Sequence, residues 1–225
     1  MEIIKLKYMI QIQTLVGQLK EDLKSEVAKI KSRRIFINIS ADEFKEIFLL
    51  NAKIEMAKRN KDVDFEIDQN NKDVINQLYF YLVGSKEFKG NLNRGIMLSG
   101  NVGTGKTMIV NSFISIIQQL SVKLVTSMHS KKIAPFLKEK GEDYLNYRPL
   151  FIDDLGKETK IVNDYGTVKN TIPDLFAIRY DTGAWTFATN NYSFETLREF
   201  YGETIVDRFK EMFNNLQLIG DSRRI

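Results

Sequence analysis

The sequence predicts an α/β fold in which a parallel sheet is sandwiched by helices, with a small helical appendage at the N-terminus. Three observations lead to this prediction. A glycine-rich stretch follows a short apolar run at residues 96–98, and a second apolar run at 150–152 ends in two aspartates. Strand and helix patterns alternate between and after these two places. Such alternation is typical of parallel sheets with helices on both faces.

The composition limits the classes of protein to consider. The chain has 225 residues, of which 43% are hydrophobic and 28% charged, which suits one core with a small appendage. No apolar run approaches the roughly 18 residues that span a bilayer, and the N-terminus does not have a signal-peptide pattern. Without cysteine and with a single histidine, disulfide frameworks and thiolate or His-rich metal sites are excluded. We therefore expect a cytoplasmic protein.

The N-terminal segment is basic and helical. Residues 1–34 contain eight Lys or Arg and four Asp or Glu, whereas residues 35–225 contain twenty-five of each. Apolar residues recur at helical spacing at Leu15, Leu19, Leu23, Val27 and Ile30. This pattern predicts an apolar stripe on a helix that ends near residues 31–34. The positive charge indicates either a solvated helix face, the more common case, or contact with nucleic acid or an acidic partner.

A second helix is predicted over residues 41–59, because Ser40 and Glu43 form a capping-box pattern before an amphipathic run. It could pair with the first helix as a helical hairpin. The polar stretch 60–72 then marks a boundary between an N-terminal region, 1–72, and a core domain, 73–225. Residues 1–72 either cover the core or dock a partner. A third helix over 73–85 leads into the first strand.

The glycine-rich stretch is a phosphate-binding loop. Gly100 and the run Gly105-Lys106-Thr107 fit G-x-x-x-x-G-K-[ST], placed between a strand and a helix. The glycines let backbone N–H groups turn towards a phosphate, and the following helix adds its positive N-terminal end. Lys106 would reach the β- and γ-phosphates of ATP, and the Thr107 hydroxyl would bind Mg²⁺. The predicted nucleotide-binding residues are Gly100, Asn101, Val102, Gly103, Thr104, Gly105, Lys106, Thr107 and Met108.

After this helix, a strand is predicted over 122–126, followed by a helical excursion over 129–148 that Pro135 interrupts. The run PLFIDDLGKE then predicts a buried strand with Asp153 and Asp154 at its carboxyl end, where open α/β sheets bind ligands. Asp153 would bind Mg²⁺, and Asp154 would orient or deprotonate a water. The alternative is an Asx turn that only ends the strand.

The last third of the chain contains a helix followed by a turn over 170–185, a strand that ends at Asn190, one or two helices over 194–213 and a short final strand. The amide of Asn190 could contact a γ-phosphate or the attacking water. Arg198 and Arg208 lie in the helices, and Arg223 and Arg224 follow the strand. Arginines near a nucleotide can stabilise transition-state charge.

With these motifs in order, residues 75–225 resemble the DnaC/IstB-like branch of the AAA+ ATPases, the bacterial and phage helicase loaders and transposase-helper ATPases. The resemblance depends on GNVGTGKT as Walker A, FIDDLGKE as Walker B, FATNN as sensor 1, YGETIVDRF around an arginine finger, and GDSRR as sensor 2. It implies a P-loop AAA+ (ASCE) fold with little or no C-terminal lid, and a homo-oligomer assembled through its nucleotide sites.

The resemblance also implies residue roles. Asn190 would be the sensor-1 residue, Arg208 a finger inserted into the nucleotide site of a neighbouring subunit, and Arg224 the sensor-2 arginine, with Arg223 as the other possibility. The role of Arg179 stays open. Trp185 is interpreted as a packing residue.

In helicase loaders, the excursion at 129–148 corresponds to an element that contacts single-stranded DNA. Its lysines suit phosphates, and its aromatic rings could stack on bases. These residues are Lys131, Lys132, Lys138, Lys140, Phe136 and Tyr144. His129 could also contact DNA, although capping or packing is the more common role for a single histidine.

The sequence therefore predicts a Mg²⁺-dependent ATPase that acts on DNA, with a replicative helicase as its partner. One alternative is a transposase-helper ATPase. A second is a nucleotide-dependent switch with little turnover, and a third is a small-molecule P-loop kinase. Two departures from the family pattern bear on this prediction. The second Walker-B acid is Asp154 rather than Glu, and the sequence given stops directly after the sensor-2 motif, so a shortened lid is expected. The N-terminal region also has no cysteine for the zinc module of some loaders, so its partner is not carried over from the family.

Overall fold

The computed structural model describes residues 2–31, 34–158, 162–164, 167–169 and 171–223. The chain forms two compact units, residues 1–35 and 36–225. The first contains the long helix α1 (Glu2–Lys31). The predicted stripe residues Leu15, Leu19, Leu23 and Val27 are all exposed. The side chain of Ile30, the fifth of them, lies outside the described residues.

The second unit is built on a five-stranded parallel sheet with the order β2-β3-β6-β1-β7. The sheet strands are β1 (Gly95–Gly100), β2 (Thr126–His129), β3 (Leu150–Leu155), β6 (Thr186–Asn190) and β7 (Phe213–Leu218). A separate antiparallel ribbon pairs β4 (Val162–Asp164) with β5 (Thr167–Lys169). The predicted parallel sheet is confirmed.

Seven helices accompany these strands in the described part of this unit: α2 (Ala41–Ala57), α3 (Lys72–Val83), α4 (Lys106–Leu120), α5 (Ile133–Lys140), α6 (Thr171–Thr182), α7 (Phe194–Tyr201) and α8 (Glu203–Met212). Alternate strand residues face opposite sides of the sheet. Met97, Ile152 and Ala188 belong to one apolar cluster with residues of α5, α6 and α8. On the other side, Phe187 contacts Phe113 of α4. Helices therefore cover both faces.

The helix α2 packs against α4 and belongs to the same unit as the sheet. Its capping box is present: the Glu43 backbone N–H donates to Ser40 Oγ, and the Ser40 N–H donates to the Glu43 carboxylate. The side-chain amides of Asn51 and Gln119 exchange two hydrogen bonds of 3.0 Å. The compact units divide at residues 35/36, whereas the polar stretch suggested a boundary at 72. A pair of side-chain amides such as Asn51 and Gln119 leaves no trace in an apolar pattern.

The polar stretch before α3 is an ordered turn. The Asp68 carboxylate accepts from the backbone N–H groups of Asn70 and Asn71, and the buried Asn71 side chain donates to the Glu66 carbonyl. Side chains that bond their own backbone in this way hold a loop without regular structure.

Two local predictions are corrected. The strand expected at 122–126 begins at Thr126, where the parallel ladder with Leu150 starts. Val122 and Leu124 are 96% and 75% exposed, so these apolar residues do not enter the core. Pro135 does not interrupt a helix, because it lies in the first turn of α5, where a missing N–H is tolerated. Among the described helices, none has the length and apolar composition needed to cross a bilayer.

Candidate nucleotide-binding site

The predicted Walker A, Walker B and sensor-1 residues meet at the carboxyl edge of the sheet. In the ladders Ser99 is paired with Asn190, and His129 is paired with Asp153. Since the strands are parallel, the loop after β1 and the ends of β3 and β6 share one edge. The Walker A, Walker B and sensor-1 motifs are therefore brought together as the sequence indicated.

The loop after β1 has the backbone of a phosphate cradle. Gly103 and Gly105 have φ angles of 87° and 99°, which side chains disfavour. The helix α4 begins at Lys106, and its N-cap Gly105 provides no side-chain cap. The first N–H groups of α4 can therefore donate to an anion at this end of the helix.

Lys106 is buried inside this loop. Its ammonium donates to the carbonyls of Gly100 and Asn101 at 2.8 and 2.6 Å. A buried charge of this kind is costly unless it is paired or hydrogen-bonded. The carbonyls of the loop thus hold the Lys106 ammonium close to the place proposed for the phosphate oxygens.

Asp153 joins three elements of the site. Its Oδ1 accepts from the hydroxyl of Thr107 at 2.7 Å and from that of Thr189 at 2.6 Å. A hydroxyl and a carboxylate are hard oxygen donors, which Mg²⁺ prefers together with phosphates and waters. Among the described residues, no group of three or more His, Cys, Asp or Glu could hold a metal. This donor set therefore fits Mg²⁺ that shares its ligands with a nucleotide.

Asp154 lies in an irregular part of β3. Its φ is 56°, and the ladder with β6 shifts register between Ile152 and Leu155. Its backbone N–H donates to Thr189 Oγ1 at 2.9 Å. The Asp-Asp-Leu-Gly turn is closed by the Lys157 N–H, which donates to the Asp154 carbonyl, so neither aspartate side chain is needed to make it.

The Asp154 carboxylate is hydrogen-bonded on both oxygens. Oδ1 accepts from the Asn191 amide at 2.9 Å, and Oδ2 accepts from the Lys157 ammonium at 2.7 Å. Burial alone would raise the pKa of Asp154, but the bonds from Lys157 and Asn191 outweigh it and place the pKa below its usual value. The side chain is therefore an ionised base at neutral pH.

The two asparagines of FATNN have different partners. The Asn190 amide donates to Ser99 Oγ and to Met97 Sδ, both at 2.9 Å, and its carbonyl oxygen accepts from the Tyr192 N–H. Asn191, which the sequence did not single out, has the direct contact to Asp154. A second amide directly after the sensor-1 position was the one signal that could have indicated it.

The predicted arginines of the C-terminal part, Arg208 and Arg223, lie in different parts of the structure. Arg208 places its guanidinium over the Tyr180 ring, with its central carbon 5.0 Å from the centroid. The backbone N–H of Arg223 donates to the Gly103 carbonyl, and its guanidinium pairs with Asp68 at 2.6 Å. The chain after β7 therefore contacts the phosphate loop, and Asp68 is a neighbour that the sequence pattern missed. Arg224 lies outside the described residues.

Arg179 is a structural residue at the opposite edge of the sheet. It is fully buried and donates to the carbonyls of Leu145, Arg148 and Trp185 and to Thr186 Oγ1 at the start of β6. This answers the question that the sequence left open. Trp185 packs as expected: its ring contacts Phe187, and its Nε1 donates to the Tyr81 hydroxyl.

The excursion after β2 is short and partly charged. Lys131, Lys132, Lys138 and Lys140 are exposed. The Phe136 and Tyr144 rings contact each other edge to face at 5.3 Å, and Arg148 covers the Tyr144 ring at 4.4 Å. His129 caps the following turn by accepting from the Lys131 N–H. DNA contact by this excursion stays a prediction.

Comparison with known proteins places the fold. No family model matches the sequence, and no curated protein matches it. The structure is similar to that of the DnaC helicase loader, with a TM-score of 0.54 and 21% identity over 70% of this chain and 94% of the other. It is similar to DnaI, with a TM-score of 0.51 and 19% identity over 70% and 88%.

A third similar structure is the replication initiator DnaA bound to AMPPCP and single-stranded DNA, with a TM-score of 0.52 and 18% identity over 70% of this chain and 49% of the other. The chain therefore shares the α/β fold of these three proteins.

Proposed function

We propose that this chain is an ATP-hydrolysing AAA+ module that acts on DNA as a loader of a replicative helicase. The observation that carries the catalytic part is the hydrogen bond between Thr107 and Asp153, beside the ionised Asp154. It joins the phosphate loop to the Asp153 carboxylate, and Asp154 follows at the same sheet edge. This combination suits hydrolysis as well as binding.

In this proposal the N–H groups of the loop and of the first turn of α4 hold the β-phosphate. The Lys106 ammonium, now on the carbonyls of Gly100 and Asn101, transfers to the β- and γ-oxygens. Thr107 and Asp153 would hold Mg²⁺, which when bound neutralises charge on the phosphate oxygens. Thr189 keeps Asp153 oriented, because it donates to the same carboxylate oxygen.

Water is the nucleophile. As its oxygen bonds to the γ-phosphorus, its proton passes to Asp154, and the bond from that phosphorus to the bridging oxygen breaks, so that ADP leaves with the electron pair. Lys106 stabilises the developing charge. Asn190 serves as sensor 1, Arg208 enters the site of a neighbouring subunit, and Arg224 serves as sensor 2. These three roles come from the family resemblance.

The assignment to helicase loading is supported by likeness to the DnaC helicase loader and to DnaI. Contact with single-stranded DNA is supported by likeness to DnaA in its complex with that ligand and by the exposed lysines after β2. We propose that the chain forms homo-oligomers in which Arg208 completes each site. The proposed partner is a replicative helicase. A binding assay that compares a replicative helicase with a transposase tests this choice, because only the true partner should be retained.

The test is steady-state ATP hydrolysis measured against protein concentration, with and without single-stranded DNA. We expect a rate per subunit that rises with concentration and with DNA. A constant rate that does not respond to DNA would contradict the shared sites and the action on DNA. Tight ATP binding without turnover would instead identify a nucleotide-dependent switch.

A further inference from the structure

The carboxylate proposed to activate water is restrained in the nucleotide-free chain. Both oxygens of Asp154 accept hydrogen bonds, Oδ1 from Asn191 and Oδ2 from Lys157. His129 Nε2 lies 3.6 Å from the same Oδ2. A general base needs a lone pair directed at the proton that it takes. In this arrangement the strongest donor on the carboxylate is the Lys157 ammonium, which competes with water for Oδ2.

Two properties make this ion pair stronger than an ordinary surface pair. The side chains of Asp154 and Lys157 are only 21% and 30% exposed, so solvent screens their attraction less. Their separation is also set by the backbone, since the turn between them is closed by the bond from the Lys157 N–H to the Asp154 carbonyl. The backbone therefore keeps the two side chains within reach of each other.

The turn that contains Lys157 is anchored to its surroundings. Gly156 has a φ of 93°, and a Cβ placed there would come within 2.8 Å of the Tyr192 ring. The Gly156 N–H donates to the Glu158 carboxylate, which also accepts from the Tyr201 hydroxyl at the end of α7. Lys157 thus projects from a fixed backbone, and only its side chain has to move to free Oδ2.

We propose that Lys157 is a positioning residue that restrains Asp154 before nucleotide binding, and that its ammonium leaves Oδ2 before hydrolysis. The inference rests on the proposed ATPase function. An incoming γ-phosphate brings negative charge to the same edge and competes with the carboxylate for the ammonium, so release of Oδ2 is an equilibrium that precedes each turnover and lowers kcat. Asn191 stays on Oδ1 and keeps the carboxylate oriented while Oδ2 accepts the proton of water.

The test compares Lys157→Ala, which removes the ammonium, with Lys157→Arg, which keeps a cation. A matched control is Lys58→Ala at the C-cap of α2, because Lys58 forms an i,i+3 pair with Glu55 at 2.6 Å. At saturating ATP and Mg²⁺ and low protein concentration, we expect kcat of Lys157→Ala to rise about two- to fivefold with KM unchanged. Lys157→Arg and Lys58→Ala should turn over like the parent.

A second measurement does not depend on activity. In the ¹⁵N-labelled nucleotide-free protein, ion pairing slows hydrogen exchange of the Lys157 ammonium, so its NMR signal should be visible and should disappear in Asp154→Asn. If the signal does not depend on Asp154, the restraint does not exist.

The outcomes separate this inference from the proposed function. If the parent hydrolyses ATP only with Lys106 intact but Lys157→Ala is no faster, the restraint is overturned and the ATPase stands. If Lys157→Ala is slower, Lys157 assists the reaction and the inference is overturned as well. A parent that does not hydrolyse ATP overturns both.

Discussion

Thr189 donates a 2.6 Å hydrogen bond to Oδ1 of Asp153, and the same hydroxyl accepts the backbone N–H of Asp154 at 2.9 Å. One buried side chain on β6 thus supports both aspartates of β3. Thr189 lies within the FATNN motif, but the sequence pattern assigned it no role, because that role depends on two strands that are distant in sequence and adjacent in the sheet.

Thr189→Val should lower ATP hydrolysis about tenfold or more, because valine keeps the shape but loses the hydroxyl that orients Asp153. The apparent affinity for Mg²⁺ should fall, while binding of ATP without metal should change little. The measurement is kcat against Mg²⁺ concentration. Thr182→Val, at the opposite edge of the sheet, is the control, and an unchanged Mg²⁺ dependence in Thr189→Val would contradict the role of Asp153.

Lys106→Ala should weaken ATP binding about tenfold or more, because the loop loses its buried ammonium and its contacts with the phosphates. Titration calorimetry measures the affinity directly. Lys45→Ala, an exposed lysine on α2, serves as the control. Undiminished affinity in Lys106→Ala would exclude the proposed phosphate loop.

Arg208→Ala should bind ATP nearly as tightly as the parent and hydrolyse it about a thousandfold more slowly, since an arginine finger acts mainly on transition-state charge. Arg198→Ala is the comparison, because Arg198 pairs with Glu203 within its own chain at 3.0 Å.

Mixing Arg208→Ala with Lys106→Ala subunits should restore part of the activity. In such a mixture one subunit contributes the intact nucleotide site and the other contributes the finger. Failure to restore any activity would argue against sharing between subunits.

Arg179→Met should destabilise the fold by about 3 kcal/mol or more, because it leaves buried carbonyl oxygens without donors. Arg179→Lys should recover only part of this loss, as an ammonium cannot match the planar fork of donors. Urea denaturation gives the free energy of unfolding. A fully stable Arg179→Met protein that has lost ATP hydrolysis would instead indicate a functional role for this arginine.

The sequence by itself determined the parts of the protein that depend on local order. Apolar runs placed β1, β3 and β6, and the glycine and lysine spacing predicted a phosphate loop after β1, because strand formation and positive φ angles are properties of neighbouring residues. The rule that parallel strands share a carboxyl edge was then enough to bring Asp153, Asp154 and Asn190 together.

Only the tertiary structure decided which partners the polar side chains have. It gave the Asp154 contact to Asn191 and Lys157, buried Arg179 among backbone carbonyls, and joined α2 to the core through Asn51 and Gln119. It also moved the start of β2 to Thr126, where the ladder begins. A hydrogen bond between residues far apart in sequence has no periodic signal, because it is selected by the packing of whole elements and by the cost of leaving buried polar groups unpaired.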